Sequence, residues 1–167
     1  MTPPEVEYRE IELTRNQVAM VSPEDYKWLS RHKWCASWSR LSNSYYAVRG
    51  LTVDGKRTTT SMHREILGLK HGDKRKGDHI NHVTLDCRRS NLRIASNFQN
   101  SYNSRNKKSN SCGYKGVFFD KRKGKWCARI RVDGVRKFLG YFATELLAYA
   151  AYCRAAVQFH GEFSCLG

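Results

Sequence analysis

Hydrophobic and polar residues alternate with a period of two along much of the chain, which predicts short strands rather than long helices. The alternation predicts one or two short strands over residues 6–20 and further strands over residues 34–38 and 45–51. Between them, Ser22 suits a helix cap and Pro23 the first helical position, which predicts a short helix over residues 23–31. Between Thr58 and Leu69 the chain is predicted to pass from a β-branched strand into another short helix. The first part of the chain therefore combines small sheets with short helices.

The middle of the chain places a carboxylate, an imidazole and several carboxamides within one short stretch. Ile80, as an apolar strand residue beside Asp78-His79, and the alternation over residues 92–94 predict two strands. A polar connection joins them, and a polar helix follows. Folding these strands onto the helix would bring Asp78 and a helix asparagine, Asn100 or Asn103, to a single hard cation. Both side chains offer the oxygen ligands that magnesium accepts. His79 would then point at the same place.

The last third of the chain has a pattern of its own. Three strands are predicted, separated by Lys-Gly and Asp-Gly turns, at residues 114–119, 126–131 and 135–141. Thr144 suits a helix cap and Gly161 a helix end, so a helix is predicted to run between them to about His160. Its sheet-facing side is predicted to be mostly small, with Ala148, Ala151, Tyr152, Ala155 and Phe159. A three-stranded antiparallel sheet packed on one helix follows, and the chain as a whole is predicted to be α+β.

The middle strand of this sheet is predicted to have one apolar and one basic face. Trp126, Ala128 and Ile130 fall on the side that packs against the helix. The opposite side carries three basic residues, Lys125, Arg129 and Arg131. A twisted basic sheet of this width can enter the major groove of DNA, where arginines reach guanine edges and phosphates. An exposed basic sheet without a ligand is the alternative.

The charge of the chain indicates the kind of partner. Its 167 residues include 30 Lys and Arg against 15 Asp and Glu, a formal net charge of +15. Nucleic acid is the favoured partner, because basic side chains gain affinity by neutralising phosphates and releasing counterions; a membrane surface is the other candidate. No apolar run approaches the roughly 18 residues of a spanning helix, and the start lacks a signal peptide's features. We expect an intracellular protein that binds double-stranded DNA and no membrane.

The central stretch resembles the HNH endonucleases of the ββα-metal fold, in the branch found in phage and intron homing enzymes. That branch carries a pattern like D-H-I-N-G-x-x-x-D-N-R-x-x-N-L-R, followed by a helix with spaced asparagines. The matching residues are Asp78, His79, Ile80, Asn81, Asp86, Arg88, Asn91, Leu92, Arg93 and Asn100. His82 stands where glycine is usual, and Cys87 where asparagine is usual. The resemblance implies an N-terminal ββα-metal module with extra strands.

The same resemblance implies a metal-dependent, site-specific DNA endonuclease of the homing type, acting in the cytoplasm of a bacterial or phage-infected cell. His79 would be the general base that activates the attacking water. Asn91 would fix the strand pair and the imidazole. Arg88, Arg89 and Arg93 are candidates for holding phosphates. The other reading is a non-catalytic, sequence-specific DNA-binding protein, such as a transcriptional regulator, in which this module is only a scaffold.

The resemblance also implies the metal. Asp78 and Asn100 would hold one magnesium or manganese ion, and Asn100 is chosen over Asn103 because of the family spacing. The six cysteines contain no C-x-x-C pair. A zinc site needs clustered ligands, so buried reduced thiols are favoured and no zinc is expected.

Residues 112–167 resemble the plant APETALA2/ethylene-response-factor DNA-binding domain. The resemblance is carried by Tyr114-Lys115-Gly116-Val117, Leu139-Gly140-x-Phe142-x-Thr144 and the alanine-rich helix. The groove-reading positions of that family fall on Lys115, Gly116, Phe118, Asp120, Arg122, Arg129, Arg131, Arg136 and Phe138. Phe118 and Asp120 replace basic residues of the plant domains, and Arg129 replaces an acid. The resemblance therefore implies the docking mode but not the target sequence.

Three segments are predicted from these patterns. They are an endonuclease domain over residues 1–103, a basic linker over 104–111 and a DNA-binding domain over 112–167. His63 precedes the central stretch in a Met-His-Arg segment that also resembles the homing-enzyme branch. It is predicted either as a core histidine packed among apolar neighbours or as a direct participant in catalysis.

Overall fold

The computed structural model describes residues 7–104 and 112–166. Most of the predicted linker, including Lys107 and Lys108, lies outside these residues. The chain divides into two compact units, Met1–Ala95 and Ser96–Gly167. Both contain helices and antiparallel strands, so the predicted α+β class is confirmed. None of the helices described is long and apolar enough to cross a membrane.

The first unit consists of small sheets and short helices. Its described strands are β1 (Arg9–Glu12), β2 (Val18–Val21), β3 (Cys35–Ser39), β4 (Ser44–Val53), β5 (Lys56–Ser61), β6 (Lys76–His79), β7 (Asp86–Cys87) and β8 (Leu92–Ala95). Its α-helices are α1 (Pro23–Leu29) and α2 (Met62–Ile66), and a 3-10 helix, Arg89–Asn91, precedes β8. The sheets are ordered β1-β2-β7, β3-β4-β5 and β6-β8.

Helix α1 is fixed to the chain just before β8 by a buried acid. Pro23 starts the helix as predicted, and the helix ends at Leu29, two residues before the predicted end. Asp25, in its first turn, is 1% exposed, and its carboxylate oxygens accept hydrogen bonds of 2.7 Å from Nε and Nη2 of Arg89. A buried carboxylate needs such a partner. The pair therefore ties α1 to the 3-10 helix that leads into β8.

The core of the first unit includes Cys87 and Leu92, from the same stretch as Asp78 and His79. Its fully buried large side chains include Val21, Leu29, Met62 and Cys87. Strand β7 pairs in parallel with β2, with Met20 opposite Asp86 and Val21 opposite Cys87. The connection between β6 and β8 is thus anchored in the β1-β2-β7 sheet.

The second unit contains the predicted sheet and helix, together with one more helix. Its described strands and α-helices are α3 (Asn97–Tyr102), β9 (Val117–Asp120), β10 (Lys125–Val132), β11 (Val135–Phe142) and α4 (Glu145–His160). The strands are antiparallel in the order β11-β10-β9. Thr144 Oγ1 accepts a hydrogen bond of 3.3 Å from Leu147 N at the start of α4, and Gly161, with φ 52°, ends it. The predicted cap and stop are confirmed.

Helix α4 buries a small-residue face against the sheet, but Ala151, predicted on this face, is only half-buried, and Ala156 is buried instead. The buried residues are Ala148, Tyr152, Ala155, Ala156 and His160. Phe159 was predicted on this face, but it is 37% exposed and the ammonium of Lys137 lies 4.4 Å from its ring centroid. The buried position in the last turn is taken by His160, whose ring stacks on that of Tyr102.

Close packing between sheet and helix requires a glycine just before β9. Gly116 has φ +75°, and a Cβ there would lie 2.3 Å from Tyr152 Cδ2 and 2.5 Å from the carbonyl oxygen of Arg129. Any side chain would therefore both strain the backbone and push Tyr152 away.

Helix α3 groups with the second unit, whereas the predicted division at residue 103 assigns it to the first. Lys115 Nζ donates to the carbonyl oxygens of Tyr102 and Ser104, at 2.7 and 2.6 Å. The observed division at Ala95 and Ser96 thus leaves Asp78 and Asn100 in different units.

Candidate functional site

Asp78 and His79 end strand β6, directly opposite β8. In the antiparallel register Asp78 faces Arg93 and His79 faces Leu92. Both side chains are buried, at 7% and 6% exposure. The two predicted strands are confirmed, and they hold the carboxylate and the imidazole in neighbouring positions at one strand end.

The Asp78 carboxylate is paired with Arg93 across the two strands. Nε of Arg93 lies 2.8 Å from Oδ2 of Asp78, and the two side chains are 12% and 8% exposed. Burial of an ion pair strengthens its attraction but costs desolvation, so each charge depends on the other. Arg93, predicted as a phosphate contact, is held by this carboxylate.

Asn91 fixes the connection that follows His79. Its Nδ2 donates to the carbonyl oxygen of Asp86 at 2.8 Å, and its Oδ1 accepts from Asn81 N at 2.9 Å. Its own carbonyl oxygen accepts from Ile80 N at 2.9 Å. His82 adopts φ 63°, so the turn forms with a non-glycine residue in the left-handed region. The predicted structural role of Asn91 thus has a direct basis.

Arg88 is held in the same loop by a buried acid. Its Nε and Nη2 each lie 2.7 Å from a carboxylate oxygen of Asp86, which is 1% exposed. Nδ2 of Asn81 also donates to Asp86 at 2.8 Å. The guanidinium therefore serves to neutralise Asp86, although part of its side chain stays exposed.

The imidazole of His79 packs on a second buried histidine. The ring centroids of His79 and His63 are 4.7 Å apart in an edge-to-face arrangement, and Tyr46 lies 6.1 and 5.8 Å from them. His63 Nε2 is 3.4 Å from Ser61 Oγ. His63 is thus a buried packing residue that contacts the predicted base. Tyr46 was not singled out in the sequence, where only its position in a strand is visible.

A glycine makes the close approach of His63 possible. A Cβ on Gly77 would lie 2.5 Å from Cδ2 of His63 and 3.1 Å from Cδ1 of Leu67. The ring of His63 therefore occupies the space that a side chain at position 77 would fill.

Burial keeps both imidazoles neutral near pH 7. Desolvation lowers the pKa of His63 to about 3, and the nearby His79 and Arg64 lower it further. Desolvation also lowers the pKa of His79 to about 4, against the opposing effect of Asp78 and Asp86. A neutral imidazole can accept a proton, which is the state that general base catalysis requires.

The residues near Asp78 fit a hard cation only in part. The carboxylate oxygens of Asp78 are suitable ligands, but Oδ2 already accepts a hydrogen bond from Nε of Arg93. Among the described residues, no three His, Cys, Asp or Glu side chains form a group that would hold a metal. Asn100 is exposed on α3 in the second unit. Its grouping with Asp78, and the choice between Asn100 and Asn103, stay predictions.

The outer face of the second unit's sheet carries the predicted basic residues. Arg129, Arg131, Arg136 and Phe138 are exposed, while Ala128 and Ile130 on the other side are buried. In register, Arg129 faces Phe138 and Arg131 faces Arg136. The two faces predicted for β10 are confirmed.

Aromatic rings hold part of this basic face in place. The guanidinium of Arg129 lies 4.7 Å from the ring centroid of Phe118, and Phe138 packs edge-on against Tyr141 at 5.1 Å. Stacking of a guanidinium on a ring restrains a long side chain. Arg122 is exposed in the turn after β9, where Asp120 accepts from its backbone nitrogen at 3.0 Å.

Lys115 differs from the other predicted DNA contacts. Besides the carbonyl oxygens of Tyr102 and Ser104, its Nζ reaches that of Cys165 at 3.5 Å. Desolvation lowers the pKa of this lysine. Its charge is therefore used inside the second unit, a role that no feature of the Tyr-Lys-Gly-Val sequence indicates.

Comparisons with known proteins match parts of this chain. Protein 3.8 of Escherichia phage T7 is 29% identical over 106 residues, which cover 61% of this chain and 86% of that protein. The AP2-like ethylene-responsive transcription factor TOE2 of Arabidopsis thaliana is 44% identical over 57 residues, 34% of this chain but 12% of the plant protein. APETALA2-like protein 2 of Oryza sativa subsp. indica is 42% identical over 57 residues, 13% of its length. No family model and no solved structure matches the chain.

Proposed function

We propose that the chain binds double-stranded DNA through the outer face of the sheet β11-β10-β9. The observation that carries this proposal is the exposed row of Arg129, Arg131 and Arg136, with Phe138 beside them. Guanidinium groups donate to guanine edges and to phosphates, and a ring can contact the thymine methyl group. The net charge of +15 adds a long-range attraction to the same partner.

The partial similarity to plant AP2-like proteins supports this proposal. It covers 34% of the chain, and one of the relatives is named as a transcription factor. A non-catalytic, sequence-specific DNA-binding protein is the function that this similarity supports directly. The similarity to the phage protein extends over more of the chain without adding an activity.

A second activity, hydrolysis of the bound DNA, is favoured by Asp78 and His79. Here we propose that the first unit is a ββα-metal nuclease module of the HNH type. A buried carboxylate and a neutral imidazole lie side by side at the end of β6, held by a loop that Asn91 fixes. A carboxylate beside a neutral imidazole is a combination that can activate water.

In this proposal His79 takes a proton from a water molecule as its oxygen bonds to the scissile phosphorus. The bond between phosphorus and the 3′-oxygen breaks, and that oxygen takes a proton from solvent. Asp78 and Asn100 would hold a magnesium or manganese ion, and such an ion would supply charge stabilisation to the phosphate and the departing oxygen. Asn91 keeps the backbone at Ile80 and Asn81 in place, and so orients His79.

One experiment separates the two activities. The protein is incubated with supercoiled plasmid and magnesium, and DNA binding is measured in parallel with calcium in place of magnesium. We expect His79→Ala to bind as the wild type does and to cleave roughly 10²–10⁴-fold more slowly, the usual contribution of a general base. Binding without cleavage in the wild type would leave the DNA-binding protein as the function. Wild-type cleavage by His79→Ala would exclude this histidine as the base.

The DNA-binding proposal has a matched test in the same assay. Arg131→Ala changes an exposed residue of the sheet, whereas Arg57→Ala changes an exposed residue of β5 in the first unit. We expect the first substitution to weaken binding more than the second. Equal losses would mean that the sheet supplies general charge rather than the binding surface.

A further inference from the structure

Tyr102, the last residue of α3, contacts two other parts of the second unit, the end of α4 and the turn between β10 and β11. Its ring stacks on that of His160, with centroids 3.7 Å apart and an interplanar angle of 5°. Its hydroxyl accepts a hydrogen bond from Asp133 N at 2.6 Å and donates to Asp133 Oδ1 at 3.0 Å. Asp133 belongs to the tight turn between β10 and β11, so the hydroxyl reaches the tip of the central hairpin.

Two further contacts hold the same helix. The ring of Phe98 lies so close to Gly134 that a Cβ there would be 3.2 Å from its Cε1. At the other end, the ammonium of Lys115 donates to the carbonyl oxygens of Tyr102 and Ser104, at and just after the end of α3. A cation at this end also suits the helix dipole.

Helix α3 depends on these contacts for its order. It has six residues, and helices shorter than about 12–15 residues are marginal in water on their own. Its capping box, in which Ser96 and Gln99 bond to each other's backbone, stabilises the first turn only. The last turn, which carries Asn100 and Tyr102, is therefore fixed by the hairpin, by His160 and by Lys115.

We propose that Tyr102 is a positioning residue that makes α3 an element of the DNA-binding unit, so that Asn100 is placed together with the surface that holds DNA. The proposal rests on the proposed function, and it reverses the division suggested by the sequence, in which α3 belongs with the nuclease motif. Only Ser96 separates α3 from the end of β8. DNA bound on the sheet would thus order Asn100, the proposed metal ligand on α3, without contacting Asn100 itself.

Hydrogen exchange of the full chain tests this directly, with and without a mixture of random-sequence duplexes of about 30 base pairs at low salt. In Tyr102→Ala we expect the amides of residues 97–104 to exchange at least about tenfold faster than in the wild type. Tyr102→Phe keeps the ring stacking and loses the hydroxyl, so its exchange should be intermediate. Asn97→Ala, an exposed position on the same helix, should behave as the wild type does. DNA should slow exchange of α3 in the wild type and have a smaller effect in Tyr102→Ala.

Two results would overturn the proposal. One is exchange of α3 in Tyr102→Phe no faster than in Asn97→Ala, which is decisive even if Tyr102→Ala loosens the whole second unit. The other is an equal effect of DNA on α3 in the wild type and in Tyr102→Ala. If a gel shift shows that none of the proteins binds DNA, the DNA-binding function and the linkage through α3 both fail, while exchange in the free protein still decides whether Tyr102 anchors the helix.

Discussion

Nε of Arg93 lies 2.8 Å from Oδ2 of Asp78, and the ion pair is largely buried between β6 and β8. The carboxylate assigned to a metal ion therefore already has a cation of its own. A divalent ion would have to share Asp78 with the guanidinium or compete with it.

This competition predicts that removing Arg93 lowers the stability of the protein and increases its stabilisation by magnesium. Arg93→Met leaves a buried carboxylate without its guanidinium partner, so we expect the free energy of unfolding to fall by about 3–5 kcal/mol. Millimolar magnesium should then raise the melting temperature of Arg93→Met more than that of the wild type. The double variant Asp78→Asn/Arg93→Met is the control, because it should regain stability and lose the magnesium response. An equal magnesium response in all three proteins would exclude Asp78 as a ligand.

Acid should destabilise the first unit through its buried histidines. The pKa of His63 is lowered from 6.5 to about 3 and that of His79 to about 4, so the unfolded chain binds more protons than the folded one between these values. The stability that each neutral imidazole contributes is present above pH 6.5 and is lost as pH falls towards the folded pKa. Between pH 7 and 5 each histidine should lower the free energy of unfolding by about 2 kcal/mol.

Urea unfolding at both pH values measures this loss, and His63→Leu provides the comparison. The variant should show a smaller change between pH 7 and 5, because one of the two buried imidazoles is gone. The same slope in His63→Leu and in the wild type would mean that His63 is not neutral and buried in the folded protein.

Lys115 should behave as a structural residue and not as a phosphate contact. In Lys115→Met three carbonyl oxygens lose their donor, so we expect a loss of about 1–3 kcal/mol in the free energy of unfolding. The dependence of DNA binding on salt should keep its slope. Lys125→Met, on the exposed outer face, should instead weaken binding and reduce that slope by about 1. A reduced slope for Lys115→Met as well would restore the role predicted from the plant domains.

Recognition of DNA bases by the sheet should be separable from the general electrostatic attraction of DNA to the basic protein. We expect Arg129→Ala or Arg131→Ala to cost about 1–3 kcal/mol of binding if the guanidinium contacts a base, and to change the preference at particular base pairs. Replacement of Lys107 and Lys108 should weaken binding to all sequences alike. Selection from a random duplex library before and after each substitution distinguishes these outcomes, and identical effects would mean that the sheet does not recognise bases.

The sequence predicted the elements of the second unit well because their signals are local. The Lys-Gly and Asp-Gly turns, the alternation of β10 and the cap at Thr144 each depend on neighbouring residues. What it missed depends on residues far apart in the chain, such as the pair of Asp25 with Arg89 or the hydroxyl of Tyr102 at Asp133. Nothing in the periodicity distinguishes the buried Asp25 and Tyr102 from exposed polar residues.

The candidate site was predictable to a similar extent. The two strands at Asp78-His79 and at residues 92–94 follow from the alternation and are confirmed. Ile80 was predicted as a strand residue, but β6 ends at His79 and Ile80 lies in the turn that follows. The sequence left open whether His63 is a core residue or takes part in catalysis, because a histidine among apolar residues is compatible with both roles. Its packing against His79 could not be predicted. The use of Arg88 and Arg93 inside the protein was hidden, since an arginine that neutralises a buried acid and one that awaits a phosphate look the same in a sequence.

The space between Gly77 and His63 constrains how this chain can diverge. With a Cβ at position 77 only 2.5 Å from His63 Cδ2, the two positions cannot accept substitutions independently. Relatives that keep the histidine should keep the glycine, and those with an alanine or serine at position 77 should carry a smaller residue at position 63. Paired substitution at positions 63 and 77 in homologous sequences would show that this packing is retained even where the residues around it have changed.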